Sequence, residues 1–129
     1  MSPVADGVLV DSSAWIEALR ERGDAATRRR VGELVAAGEA RICDLVLVEL
    51  WNGARGREDH ETLRRIEADV EMVPTTAGVW SEARRLARES RSAGLTIPAA
   101  DLVVAACAAE HRLGILHRDT HFDLLAKLR

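Results

Sequence analysis

Four acidic residues stand where the chain is otherwise apolar. Asp11 closes Val8-Leu9-Val10, and Glu49 interrupts Leu45-Val46-Leu47-Val48 and Leu50-Trp51. Asp101 precedes Leu102-Val103-Val104-Ala105-Ala106, and Asp119 follows Gly114-Ile115-Leu116 by way of His117-Arg118. A lone ionised carboxylate in such surroundings costs several kcal/mol, so it needs a partner. No Lys or Arg lies inside the apolar stretches themselves. Two carboxylates about 4 Å apart repel by roughly 4 kcal/mol at an effective dielectric of about 20. If the four converge, the counter-charge they call for is a divalent cation. Oxygen donors select Mg2+ or Mn2+, and no Cys/His set with zinc spacing is present. Such an ion polarises a phosphoryl oxygen and activates water, which is phosphodiester hydrolysis without a protein nucleophile.

Each acid also has a plainer reading. Asp11 could simply cap the helix that follows it, Asp101 could favour the positive end of its helix dipole, and Asp119 could be a turn residue. Glu49 is harder to explain away, because neighbours Leu45, Val46, Val48, Leu50 and Trp51 leave it little chance of facing bulk water. His117 and His121 are four apart, but a strand end separates them from one helical face, so they read as ordinary polar residues. The Arg-rich pieces Arg28-Arg29-Arg30 and Arg84 to Arg91 read as solvated helix faces; phosphate contact is the sharper alternative.

The elements that must position the acids alternate in type. Short apolar runs read as strands at Val8–Val10, Ala40–Cys43, Val70–Val73 and Gly114–His117. Between them lie helical stretches. The first is Ala14–Leu19, where Ser12 and Ser13 suit the N-cap. The second runs from Asp24 to a stop at Gly38. The third runs from Leu45 to about Ala54, with Asp44 as its cap, and the fourth, polar, from about Glu58 to Ala68 with Leu63 and Ile66 as its buried face. After Pro74 come a long helix from about Ala77 to Ser92, a nearly all-apolar one from Ala99 to Leu113 entered through Ile97-Pro98, and a short one from Thr120 to Leu128. Apolar rather than alternating strands, separated by helices, indicate a parallel sheet covered on both faces. Ligands of such sheets bind beyond the carboxyl ends of the strands, where Asp11 and Asp119 lie. Helix starts reach the same edge, which brings Asp101 and Glu49 there.

The chain of 129 residues suggests one domain, spanning 1–129, with one core. A composition 47% hydrophobic and 30% charged excludes a disordered chain. The net charge of -3 argues against a protein that grips nucleic acid by charge alone, but not against an enzyme with metal in an acidic pocket. Cys43 and Cys107, both in apolar surroundings, read as small hydrophobes of a reducing, cytoplasmic compartment. No apolar run is long enough to span a membrane, and Asp6 and Asp11 break any leader.

The pattern resembles the PIN-domain proteins, in particular VapC-type toxins of bacterial toxin–antitoxin pairs. The resemblance is carried by Val8-Leu9-Val10-Asp11-Ser12-Ser13-Ala14-Trp15-Ile16, by Leu47-Val48-Glu49-Leu50 with Gly53-Ala54-Arg55, by Ile97-Pro98-Ala99-Ala100-Asp101, and by His117-Arg118-Asp119-Thr120-His121-Phe122. It implies a three-layer α/β/α fold, with a central parallel sheet of four or five short strands flanked by about seven helices. It also implies an endoribonuclease that uses Mg2+ or Mn2+, a homodimer, and a VapB-type antitoxin that blocks the site. Asp11, Glu49, Asp101 and Asp119 match the family's acidic quartet, Asp11 and Asp101 as the first metal ligands and Ser13 as a small polar site residue. His121 departs from the pattern, since many relatives carry a further acid there, and Asp123 reads as a helix-surface residue rather than its substitute. Competing expectations are a DNA structure-specific nuclease and a catalytically inactive PIN binding module. A phosphoacceptor receiver domain fits less well, because Asp11 is followed by serines and the one Lys is Lys127.

Overall fold

The computed structural model describes residues 7–128; residues 1–6, which include Asp6 of the leader reading, and Arg129 lie outside them. Within that span, strands and helices alternate as the apolar runs require. The strands are β1 (Val8–Val10), β2 (Ala40–Ile42), β3 (Glu71–Met72) and β4 (Gly114–Leu116). The helices are α1 (Ser12–Leu19), α2 (Ala25–Ala36), α3 (Asp44–Asn52), α4 (Gly56–Asp69), α5 (Ala77–Ser92), α6 (Ala99–Glu110) and α7 (Thr120–Ala126). The four strands form one parallel sheet in the order β3-β2-β1-β4. The chain steps outward from β1 to β2 to β3, then returns across the sheet to β4. Right-handed crossovers put the helices of the outward steps on one face and those of the return on the other, which is the expected three-layer α/β/α arrangement.

The core forms where apolar strands meet apolar helix faces. Leu9, Val10, Ile42, Leu34, Val46 and Val104 are fully buried. Burying a side chain of this kind contributes about 1.5–3 kcal/mol. Helix α5 buries Val79, Ala83, Leu86 and Ser90, spaced three or four apart on one stripe. Helix α6 differs: Leu102 to Ala108 are buried without interruption. An all-round apolar helix belongs inside, and α6 packs on α3, α5, α7 and β4. Its many alanines let those neighbours approach closely. No helix among the described residues is long and apolar enough to cross a membrane.

Register explains how distant acids meet. Val10 pairs with Leu116, and the Asp11 amide donates to the Leu116 carbonyl at 2.9 Å. The chain segments after β1 and β4 therefore leave the sheet side by side. Strand β2 is β1's other neighbour, and Cys43, one residue past it, leads into the helix that carries Glu49.

Several local expectations need correction. Asp11, not Ser12 or Ser13, caps α1, accepting from the Ser13 amide at 3.1 Å. Asp44 is the first residue of α3 rather than its cap; Cys43 holds the cap position without a side-chain bond. The third strand is only Glu71–Met72, both exposed. Its apolar flanks serve otherwise: the Val70 amide closes α4 on Ile66, and the Val73 amide continues the ladder to Ile42. Helix α6 stops at Glu110 rather than Leu113, because Arg112 takes a left-handed conformation (φ 58°) and lets the Leu113 amide reach the Ala108 carbonyl. Val48, expected inside, is 61% exposed on the outer side of α3. Cys43 and Cys107 are buried free thiols.

Candidate functional site

The acids Asp11, Glu49, Asp101 and Asp119 do come together. Each is brought by a different connection. Asp11 sits where β1 turns into α1, and its Oδ2 accepts from the Ser13 amide and, at 2.6 Å, from the Ser13 hydroxyl. Asp119 is the cap of α7 and accepts from the His121 amide at 2.9 Å. Asp101 stands in the first turn of α6, behind Pro98, with its side chain 13% exposed. Glu49 projects from α3, half-buried, and accepts from the Ser12 hydroxyl at 3.2 Å. The plain capping reading of Asp11 is thus correct as well, and Asp119, read as a turn residue, is a cap too. Capping uses one face of a carboxylate and leaves the other free.

Electrostatics shows that the four share one space. Burial pushes the Glu49 carboxyl above its ordinary pKa, and the charges of Asp11 and Asp101 add to the rise, against the Ser12 hydrogen bond. Asp101 is raised as well, first by burial and then by the charge of Asp119, with Asp11 contributing further. Glu49 and Asp101 lie close enough to neighbouring carboxylates to be repelled by them, which is the condition that calls for a cation.

The tightest grouping contains a residue that sequence reading treated as ordinary. Asp101, Asp119 and His121 offer ligand atoms that all lie within 4.8 Å of one another. His121 Nδ1 is 2.8 Å from an oxygen of Asp101 and 2.8 Å from one of Asp119. Burial works against its protonation, but the hydrogen bond to Asp101 and the charge of Asp119 outweigh it, so the imidazole titrates above its usual value. The available signal was spacing: His121 follows a capping aspartate by two residues, and the cap turn folds its backbone onto Asp119. Ser12, whose sequence position suggests only a cap residue, holds Glu49 through its hydroxyl. Asp11 and Glu49 stand outside the 4.8 Å group, and their place in the crevice rests on the charge they share with Asp101. His117 packs on Phe122 and lies 3.6 Å from exposed Asp123.

The donor set fits a divalent cation on an observation independent of acid count. Asp11 is 2% exposed, yet its Oδ1 has no hydrogen-bond partner. A buried carboxylate oxygen without a partner is costly, and the charge of Asp11 reaches Glu49 and Asp101. Ser13 secures this geometry: while donating to Asp11, its hydroxyl accepts from the Arg118 amide at 2.9 Å. One side chain thereby ties the loop after β4 to the loop after β1.

A parallel sheet in this strand order, with acids gathered where β1 and β4 end, defines an α/β protein with an acidic crevice at its carboxyl edge. The chain matches the PIN domain over residues 8–128. It is 32% identical over 125 residues to Ribonuclease VapC11 of Mycobacterium tuberculosis, covering 94% of this chain and 92% of that protein. The chain therefore belongs to the PIN-domain family, among its VapC relatives. In fold it resembles the crystal structure of FitAcB from Neisseria gonorrhoeae, with a TM-score of 0.77, 22% identity and 93% of each chain covered. It also resembles a toxin–antitoxin complex from Klebsiella pneumoniae, with a TM-score of 0.72, 17% identity and 88% of each chain covered.

Proposed function

We propose that this chain is a metal-dependent endoribonuclease and the toxin of a toxin–antitoxin pair. The observation that carries the reading is the convergence of four acids from four connections on one crevice, with one buried Asp11 oxygen unpartnered. Its relatives include proteins named as VapC ribonucleases at 32% identity. Asp11 and Asp101 would hold Mg2+ or Mn2+, with Asp119 beside them. When bound, such an ion polarises a phosphoryl oxygen and makes a water acidic enough to attack. Glu49, with Oε1 held by Ser12, keeps Oε2 to accept a proton from water at the crevice. Its raised pKa brings its affinity for that proton nearer neutrality. Asp119 is fixed by the α7 cap and would orient water or a second ion. Ser13 positions Asp11. Domain 1–129 acts as one unit in the cytoplasm, a setting that suits the free thiols Cys43 and Cys107. A VapB-type antitoxin would block the crevice of a homodimer, and an acidic crevice favours an antitoxin that presents Arg or Lys to it.

The test is cleavage of matched RNA and DNA oligonucleotides with Mn2+, with Mg2+ and with excess chelator. RNA cleavage that chelator stops is expected. Undiminished cleavage in chelator would refute the mechanism. Preference for DNA would point to the structure-specific nuclease, and absence of both cleavage and metal binding to an inactive binding module.

A further inference from the structure

His121 is the residue at which this site departs from an all-carboxylate one. Its position is more specific than that of a neighbouring polar group. One ring nitrogen, Nδ1, stands 2.8 Å from Asp101 and 2.8 Å from Asp119. A single N–H cannot point straight at two acceptors, so the arrangement is poor as an ordinary hydrogen-bond pair. It is good as an edge of a coordination shell. Ligands about 2.1 Å from an octahedral ion and at right angles to each other lie about 3 Å apart. The Nδ1 separations from the two carboxylates are close to that edge length, and the three ligand atoms keep within 4.8 Å. The buried, unpartnered Oδ1 of Asp11 supplies an independent sign that the crevice takes a cation.

We infer that His121 is itself a metal ligand, through Nδ1, and that this nitrogen biases the site toward Mn2+ over Mg2+. The inference rests on the proposed metal site and goes beyond it by naming the donor that decides between ions. Mg2+ is hard, holds its waters strongly and favours oxygen donors, whereas imidazole binds transition metals well. The same nitrogen stands between Asp101 and Asp119, so the three ligand atoms already lie near the separation a shared ion requires. Coordination needs the neutral ring with its proton on Nε2. No described residue is bonded to that nitrogen, so the tautomer is open to it.

The test uses the full chain loaded with Mn2+ and read by pulsed electron paramagnetic resonance, which detects a nitrogen bound to the ion. Wild type should show nitrogen coupling. His121→Asp should lose it, while His117→Ala, which removes the nearest other imidazole on that loop, should keep it. In competition, the Mg2+ concentration that displaces half the Mn2+ should fall at least about tenfold in His121→Asp, the scale on which ligand-shell changes alter affinity. Bound Mn2+ without nitrogen coupling in wild type would overturn the inference and leave the metal site standing. Coupling that vanishes in His117→Ala would overturn it too. Failure of wild type to bind Mn2+ at all would remove the metal site as well. If His121→Asp does not fold, the wild-type and His117→Ala spectra still decide the origin of the nitrogen.

Discussion

Asp11 and Asp24 do the same local job. Each precedes a helix, takes extended backbone angles and accepts a hydrogen bond from a first-turn amide, Ser13 for one and Thr27 for the other. Their surroundings make them opposites. Asp24 is spent on its helix: Oδ2 accepts from the Thr27 amide at 2.9 Å and hydroxyl at 2.7 Å, and Arg118 lies 3.7 Å away. Those bonds, more than the arginine, hold its carboxyl below the ordinary range. Asp11 uses Oδ2 in the same way but keeps a buried Oδ1 with no partner, and its charge raises Glu49 and Asp101. A cap that is complete stabilises the fold. A cap with one buried oxygen left over leaves binding capacity, at a cost in stability.

The largest effect should come from removing that spare charge. Asparagine caps a helix about as well as aspartate, so Asp11→Asn should keep α1. It should nevertheless cut RNA cleavage by more than about 100-fold, the upper end of what even supporting residues of metal sites contribute. Asp24→Asn should leave cleavage near wild type. In chelator at neutral pH the melting temperature should rise for Asp11→Asn and change little, slightly downward, for Asp24→Asn, whose cap survives and whose only loss is an exposed ion pair. Full cleavage by Asp11→Asn, or equal losses in both variants, would dissolve the contrast between the two caps.

A second effect, in stability, follows from the signs of the pKa shifts. Glu49 and Asp101 are raised in the folded protein, so between their ordinary and raised values the folded state holds more protons than the unfolded one. Their ionisation therefore costs stability as pH rises through that window. His121 is also raised; its favourable contribution is complete below its ordinary pKa and is lost as pH climbs through the folded value. Asp24 is lowered, so its contribution is present above the ordinary carboxylate range and constant here. Metal-free protein should thus melt at a lower temperature at about pH 7.5 than at about pH 5.5. Asp101→Asn should flatten that slope, and saturating Mn2+ should reverse it in wild type only. Thermal melts across pH with chelator and with Mn2+ check this; an unchanged slope in Asp101→Asn would mean the crevice acids do not repel as their burial implies.

The contrast between the two aspartates also explains what the sequence could disclose. Strand β1 and helix α6 were legible because Leu9-Val10 and Leu102 to Ala108 are apolar in ways only burial satisfies, and the acids stood out against them. Parallel order follows from alternation, and the carboxyl edge follows from parallel order. What was hidden depends on angles rather than composition. Val48 and Glu49 are adjacent, yet the turn of α3 puts Val48 outside and Glu49 half inside, so an apolar window could not rank them. Val70 and Val73 resembled a strand because they are apolar, but only the exposed pair between them forms β3. His121 looked ordinary because its value lies in a 2.8 Å approach to two residues, one of them twenty positions away. Spacing along a chain carries the local contact across the cap turn to Asp119, not the one to Asp101 on another helix.

The smallest effect tests how firmly Asp11 is held in its role. Ser13 joins it to the neighbouring loop through a 2.6 Å donation to Oδ2 and a 2.9 Å acceptance from the Arg118 amide. Ser13→Ala removes the first and frees the second, but the Ser13 amide still donates to Asp11, so the cap survives. Arg118 is exposed, and water can satisfy its amide. A hydrogen bond to a charged group contributes about 1.5–3 kcal/mol, and the remaining amide bond keeps the loss toward the lower figure. Ser13→Ala should therefore lower the melting temperature modestly. Its cleavage rate should fall less than that of Asp11→Asn, and its affinity for Mn2+ should weaken, because the carboxylate is less well aimed rather than absent. Titration of Mn2+ into both variants separates the cases. Undetectable binding in Ser13→Ala would make the hydroxyl a direct participant, and unchanged binding would make the loop tie purely structural.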